Sequence, residues 1–239
     1  MRICCNLEYY LKGYIYPKEE RAVRDLLRKR LLLVRQKTAH ILSFKNLVSR
    51  NLGRQMKRDE VIKLGEEDAE KIFSNEHIVL SGKANIAAIQ FLLIRIEKIE
   101  KAVLEVVKLK GNYKKLMTVP GIGKILALTI MFETGDIKRF PKVGNYVSYC
   151  RLVGSRRVSN GKQKGEGNRK NGNKYLSWAY VEAANFALWH YPYIKKYYQK
   201  KTSKTNKIVA IKAVAHKLAR ASYYVMKDEV VFDPKRAFS

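Results

Sequence analysis

Ser159 opens the segment VSNGKQKGEGNRKNGNKYL (residues 158–176), which holds four glycines, five Lys/Arg and almost nothing apolar. A free serine hydroxyl is a weak nucleophile and needs activation or a stabilised leaving group. Arg156, Arg157, Lys162, Lys164, Arg169, Lys170 and Lys174 surround it with positive charge suited to phosphate oxygens. The segment reads as a glycine-rich loop that launches a helix. Ser155, four residues earlier, is the rival hydroxyl. The plainer reading is a solvated loop whose serines do nothing chemical.

A second pattern lies upstream, in LMTVPGIGKILALTIMFETGD (residues 116–136). Apolar residues precede the turn Pro120-Gly121-Ile122-Gly123, and a helix is expected from Lys124, the form of a helix-hairpin-helix. Glycines would let the backbone approach a phosphate, and the free N–H groups of the new helix would face it. The alternative is a tight turn between two packed helices. Glu133 and Asp136 would hold a basic residue or cap the next helix; one pair on a turn is a poor metal cage. His190 and His216 have no ligand-spaced partners, and no metal site is expected. WHYPYIKKYYQKK (residues 189–201) interleaves aromatics with lysines, which suits base stacking and phosphate contact and equally an ordinary amphipathic helix.

Composition points the same way. Among 239 residues, 49 Lys/Arg face 21 Asp/Glu, a formal charge of +28, so a polyanion is the natural partner. With 46% hydrophobic residues the chain can bury a core. No apolar stretch is expected to reach the roughly 20 residues that span a bilayer, and MRICCNLEYYLKG is a poor signal peptide. Cys4, Cys5 and Cys150 lack metal spacing, which suits a reducing, cytoplasmic setting.

The elements that must carry these residues are helical. Pro17 followed by acidic residues marks a helix start. A helix is predicted to Arg50, with Leu27, Leu31, Val34, Thr38, Ile41 and Val48 as a coiled-coil-like stripe and a glycine stop at 51–54. A short polar helix is expected over 58–73. A second long helix over about 84–108 carries a heptad seam of Ile89, Leu92, Ile96, Ile99, Val103 and Val106. The pair would form a hairpin whose seam is filled internally or by another subunit, with a further role as an oligomerisation arm. The expected fold class is mainly α: a long helical hairpin over 17–110, then a compact helical domain over 111–239.

In order, the PGIG turn, ETGDIKRF, SYCRLV, the Ser-x-Gly-Lys loop, NGNKYL leading into VEAA, and the terminal YYVMKDEVVFDP resemble insertion-sequence 110/116/902 transposases. The upstream YIYPKEERAVRDLLRKRLLLVRQKT is similar to that family's entry into its long helices. The resemblance implies a DNA recombinase in which Ser159, in the Ser-x-Gly-Lys register, attacks a DNA phosphate. It implies a guide RNA encoded by the element and Mg2+ on an amino-terminal RuvC-like domain, while homo-oligomers are expected from the length of the helical hairpin. The last Asp-x-x-Asp-Ala segment of that domain would fall at or before Met1, so residues 1–16 are expected to be the remnant of a truncated domain. Arg151 and Gly154 stand where the family usually shows glycine and proline, and Asn168 and Arg169 replace Ile and Thr. The rival reading is an inactive remnant that only binds DNA or RNA.

Overall fold

A computed structural model describes residues 14–107, 111–154, 156–166 and 170–238. The fold is mainly helical, with a single two-stranded hairpin among the described residues. The chain divides into two compact units: Val23–Lys110, and a unit joining the residues up to Ala22 to those from Gly111 onward.

The first unit is the arm. Helix α1 spans Lys18–Leu52, with Glu19 and Glu20 in its first turn favouring the positive end of the dipole. It ends before Gly53, which takes φ +63°. Helix α4 spans Glu76–Val107. The two run antiparallel: Arg30 binds Glu100, His40 meets Asn85, and Leu33 packs with Leu92 and Ile96. Nearer the turn, Ile41, Phe44 and Val48 cluster with Ile86 and Ile89. The seam from Ile89 to Ile99 is therefore filled within the chain, whereas Val106 is 52% exposed.

Three expectations need correction here. The buried stripe of α1 uses Lys37 and Phe44, whereas Thr38 is exposed and turns its hydroxyl back to the Val34 carbonyl. The polar stretch 58–73 is two short helices, α2 (Arg58–Ile62) and α3 (Asp68–Ile72), broken around Gly65. Helix α4 begins eight residues before Ala84, taking in the apolar turn around Ile78 and Leu80, so residues 76–106 are by length and composition long and apolar enough to cross a bilayer. One face of α4 nevertheless packs on α1, and Gln90 donates to the Ile62 and Leu64 carbonyls.

The second unit holds α5 (Gly111–Leu116), α6 (Lys124–Thr134), a 3-10 turn (Ile137–Arg139) and α7 (Val143–Tyr149). Strands β1 (Arg156–Ser159) and β2 (Lys162–Glu166) follow, then α8 (Lys174–His190), α9 (Pro192–Thr202), α10 (Lys207–Lys227) and α11 (Pro234–Phe238). Its core brings Leu116, Ile130, Leu176, Tyr180 and Leu218 together. The alanines of α8 at 179, 183, 184 and 187 are fully buried, and small side chains let neighbouring helices approach closely. Two chain ends close on this core. Tyr16 donates to the Phe132 carbonyl, and the Phe232 N–H donates to Thr118 Oγ1 just ahead of the PGIG turn.

Candidate nucleic-acid interface and serine hairpin

The expected loop around Ser159 is a β-hairpin. Ser159 and Lys162 face each other across the turn Asn160-Gly161, whose two residues both take positive φ (+51° and +70°). Asn-Gly supplies that geometry cheaply, and two positive φ values match the twist of the flanking strands. Gly161 thus serves the turn. The register slips between Arg156 and Val158, opposite Gly165 at φ +121°, as at a β-bulge. Ser159 is half-buried at the end of β1, and Lys162 and Lys164 are exposed on β2. Arg156 and Arg157 lie in β1; Ser155 and Arg169 fall outside the described residues. Lys170 is exposed beyond β2, and exposed Lys174 begins α8.

The helix before the hairpin ends in a Schellman motif. Leu152 N–H bonds the Val147 carbonyl and Arg151 N–H bonds that of Ser148. The motif puts its C′ residue in the left-handed region, and Arg151 sits there at φ +58°. This explains why glycine suits the position, and Arg151 offsets its strain through its side chain. Its guanidinium donates to the Lys170 carbonyl and, at 2.8 Å, to that of Gly172. The entry and exit of the hairpin segment are tied together.

The exit has a second anchor. Asn173 caps α8, accepting from the Tyr175 and Leu176 N–H groups, while its amide donates to buried Glu133 Oε2 at 2.7 Å. Beneath lies a buried hydroxyl chain: Tyr146 Oη is 2.7 Å from Tyr180 Oη and 3.1 Å from Thr134 Oγ1. Burial pushes both tyrosines and the Cys150 thiol up, so none supplies an anion at neutral pH. Asp136 caps the 3-10 turn by accepting from Lys138 N–H. Arg139 stacks on Tyr14, Phe140 and Tyr149 and donates to the Thr134 carbonyl.

The PGIG turn divides its residues sharply. Pro120 and Ile122 are buried in the core. Gly121 takes φ +76° and lies so close to α8 that a Cβ would stand 2.0 Å from the Ala183 carbonyl oxygen. Gly123, the N-cap of α6, has nothing within 4 Å of such a Cβ, and Lys124 is exposed. One glycine therefore packs two helices together and the other leaves the end of α6 open.

The aromatic-lysine stretch separates in the same way. Tyr193 and Tyr197 stack edge-on against Phe238, and Lys217 donates to the Ala237 carbonyl beneath them. Those tyrosines belong to the core rim. Trp189 is 86% exposed. His190 is exposed at the end of α8, and His216 is half-buried on α10. Burial first, then Arg220 and Lys217, hold the His216 imidazole below its usual pKa.

The carboxy-terminal unit thus combines a surplus of cations, a basic hairpin bearing one hydroxyl and an open helix end. Residues 113–199 match a family model described as the transposase IS116/IS110/IS902 family. That span covers the PGIG turn, the hairpin, α8 and most of α9. No curated protein matches the chain. The family match supports a transposase-type domain over those residues.

Proposed function

We propose that this protein cuts and rejoins DNA during transposition through Ser159. The observation that carries the reading is the pairing of Ser159 with Lys162 at the tip of a basic hairpin, inside the span that matches the transposase family model. In the proposed step Oγ forms a bond to a DNA phosphorus while the bond from phosphorus to one sugar oxygen breaks. The serine proton passes to solvent and the leaving oxygen gains one. A hydroxyl of another strand then reverses the exchange, releasing serine. One phosphodiester replaces another at each step, so no external energy source is required. Lys162, Lys164, Lys170 and Lys174 hold the flanking phosphates, and the open end of α6 with Lys124 adds a backbone contact that chooses no base.

Among the described residues no group of three His, Cys, Asp or Glu could hold a metal. The Mg2+ that the resemblance implies would be held by an amino-terminal RuvC-like domain and not by these residues. Partners in this reading are DNA, a guide RNA and a second copy of the chain, in a cytoplasmic setting. Self-association would use the outer stripe of α4, where Leu80 (67% exposed), Phe91 (55%) and Ile94 (64%) face away from α1.

The test is a covalent adduct. With element-end DNA and a RuvC-type domain of the family supplied in trans, the wild type should yield a protein–DNA species that survives denaturant. Ser159→Ala should lose it while binding DNA as before, and Ser155→Ala should keep it. An adduct from Ser159→Ala would move the chemistry to another residue. A wild type that binds DNA and forms no adduct would leave a binding module.

A further inference from the structure

Phe186 and Trp189 stand three residues apart on α8, so they share one side of the helix. Half of Phe186 and most of Trp189 (86%) are exposed, in a helix whose remaining apolar side chains are largely buried. Single exposed hydrophobics are ordinary, but two neighbouring exposed aromatics make a contiguous apolar patch, the kind of surface that meets a partner. Two residues after α8, Pro192 starts α9, whose first turns present exposed Lys195 and Lys196.

The charge around this pair selects its partner. From Glu182 to Lys227 the chain has ten Lys/Arg and a single acidic residue, Glu182 itself. A second copy docking here would bring like charges together, so the surface disfavours self-association. An unpaired nucleic-acid strand offers both complements, a π-face for each aromatic and a phosphate for each lysine. A duplex hides its base faces and offers phosphates alone. Cation crowding continues along α9 and α10: Lys201 and Lys217 both approach the Tyr197 ring, at 5.7 and 5.0 Å from its centroid. Burial first, then Arg220 and Lys201, hold the Lys217 ammonium below its usual pKa, the direction a bound phosphate would reverse.

We propose that Trp189 and Phe186 form a stacking platform for unpaired bases, with Lys195 and Lys196 holding the adjoining phosphates. The platform rests on the reading of this protein as a nucleic-acid-handling transposase and adds single-strand recognition at a site distinct from the serine hairpin.

The chain has two tryptophans, so a Trp178→Phe background leaves Trp189 as the sole indole reporter. Titration with a short oligothymidylate should quench its emission. In the wild-type background Trp189→Ala should weaken oligothymidylate binding roughly 5- to 100-fold, with Trp189→Phe retaining most of it. Binding of a duplex of similar length should change less than about twofold. Sedimentation of the nucleic-acid-free protein should be the same with and without the substitution. Unchanged oligothymidylate affinity in Trp189→Ala, with duplex binding intact, would overturn the platform alone. Loss of self-association in Trp189→Ala would overturn it too and assign the patch to a second copy. A wild type that binds neither strand form would overturn the platform and the proposed function together.

Discussion

The arm and the carboxy-terminal region treat their charges in opposite ways. Residues 23–110 hold 19 Lys/Arg against 11 Asp/Glu, whereas residues 111–239 hold 26 against 7. In the arm, cations find carboxylates: Arg30 with Glu100, Lys71 with Asp68, Lys83 with Glu70, Lys101 with Glu97. In the carboxy-terminal region Lys115 pairs with Glu229, but seven carboxylates cannot match 26 cations one to one. Solvated ion pairs stabilise a fold little. Their value in the arm is to leave a modest net field, while the surplus beyond Gly111 stays available to phosphates. The protein's affinity for a polyanion should therefore reside in its carboxy-terminal region.

The PGIG turn offers the sharpest test of how that region is built. Gly121→Ala drives a methyl into the α8 backbone at a positive φ and should cost about 3 kcal/mol or more in the stability of this unit. Gly123→Ala meets open space and should leave the melting temperature within a few degrees. Equal thermal shifts for the two would contradict the packing role of Gly121. With the fold intact in Gly123→Ala, its duplex affinity reports the phosphate-binding role of the helix end.

The arm gives the next largest effect. Ile96 is 6% exposed and packs on Leu33, so Ile96→Asp should destabilise the arm by several kcal/mol whether or not the protein self-associates. Phe91→Glu with Ile94→Glu alters exposed positions, and should lower the sedimenting mass without moving the melting temperature. A mass unchanged by the outer pair would remove α4 from any oligomer interface.

Salt dependence measures the comparison directly. Lys162→Gln, Lys164→Gln and Lys174→Gln together should reduce the slope of log K against log salt by about 0.9 for each duplex phosphate that is no longer neutralised. Lys71→Gln with Lys101→Gln in the arm should leave the slope unchanged. Similar reductions from both sets would dissolve the distinction between the regions.

Smaller effects follow at single positions. Arg151→Ala keeps the left-handed backbone and removes the two hydrogen bonds to carbonyls, a cost of about 1–3 kcal/mol, while Arg151→Gly relieves the strain and should cost less. His216 has a folded-state pKa below its unfolded value, so the unfolded chain binds the proton more readily. Its contribution is present above about pH 6.5 and lost as pH falls through the lower folded value. His216→Gln should flatten the thermal stability profile over that acidic range.

Much of this protein is legible in sequence because periodicity and punctuation are local. The stripe of α4 and the start of α6 after Gly123 follow from them, and the surplus of cations is read without any fold. The segment around Ser159 reads as a loop instead of a hairpin, because the surrounding glycines and lysines resemble loop composition and mask the Asn160-Gly161 turn signal. Other features depend on residues far apart in the chain. The 2.0 Å approach to Ala183 decides that Gly121 serves packing, and Phe238 draws Tyr193 and Tyr197 inward while leaving Trp189 in solvent. Sequence specifies which residues an element presents to each side; only the tertiary structure decides which side is covered, because burial depends on what packs against it.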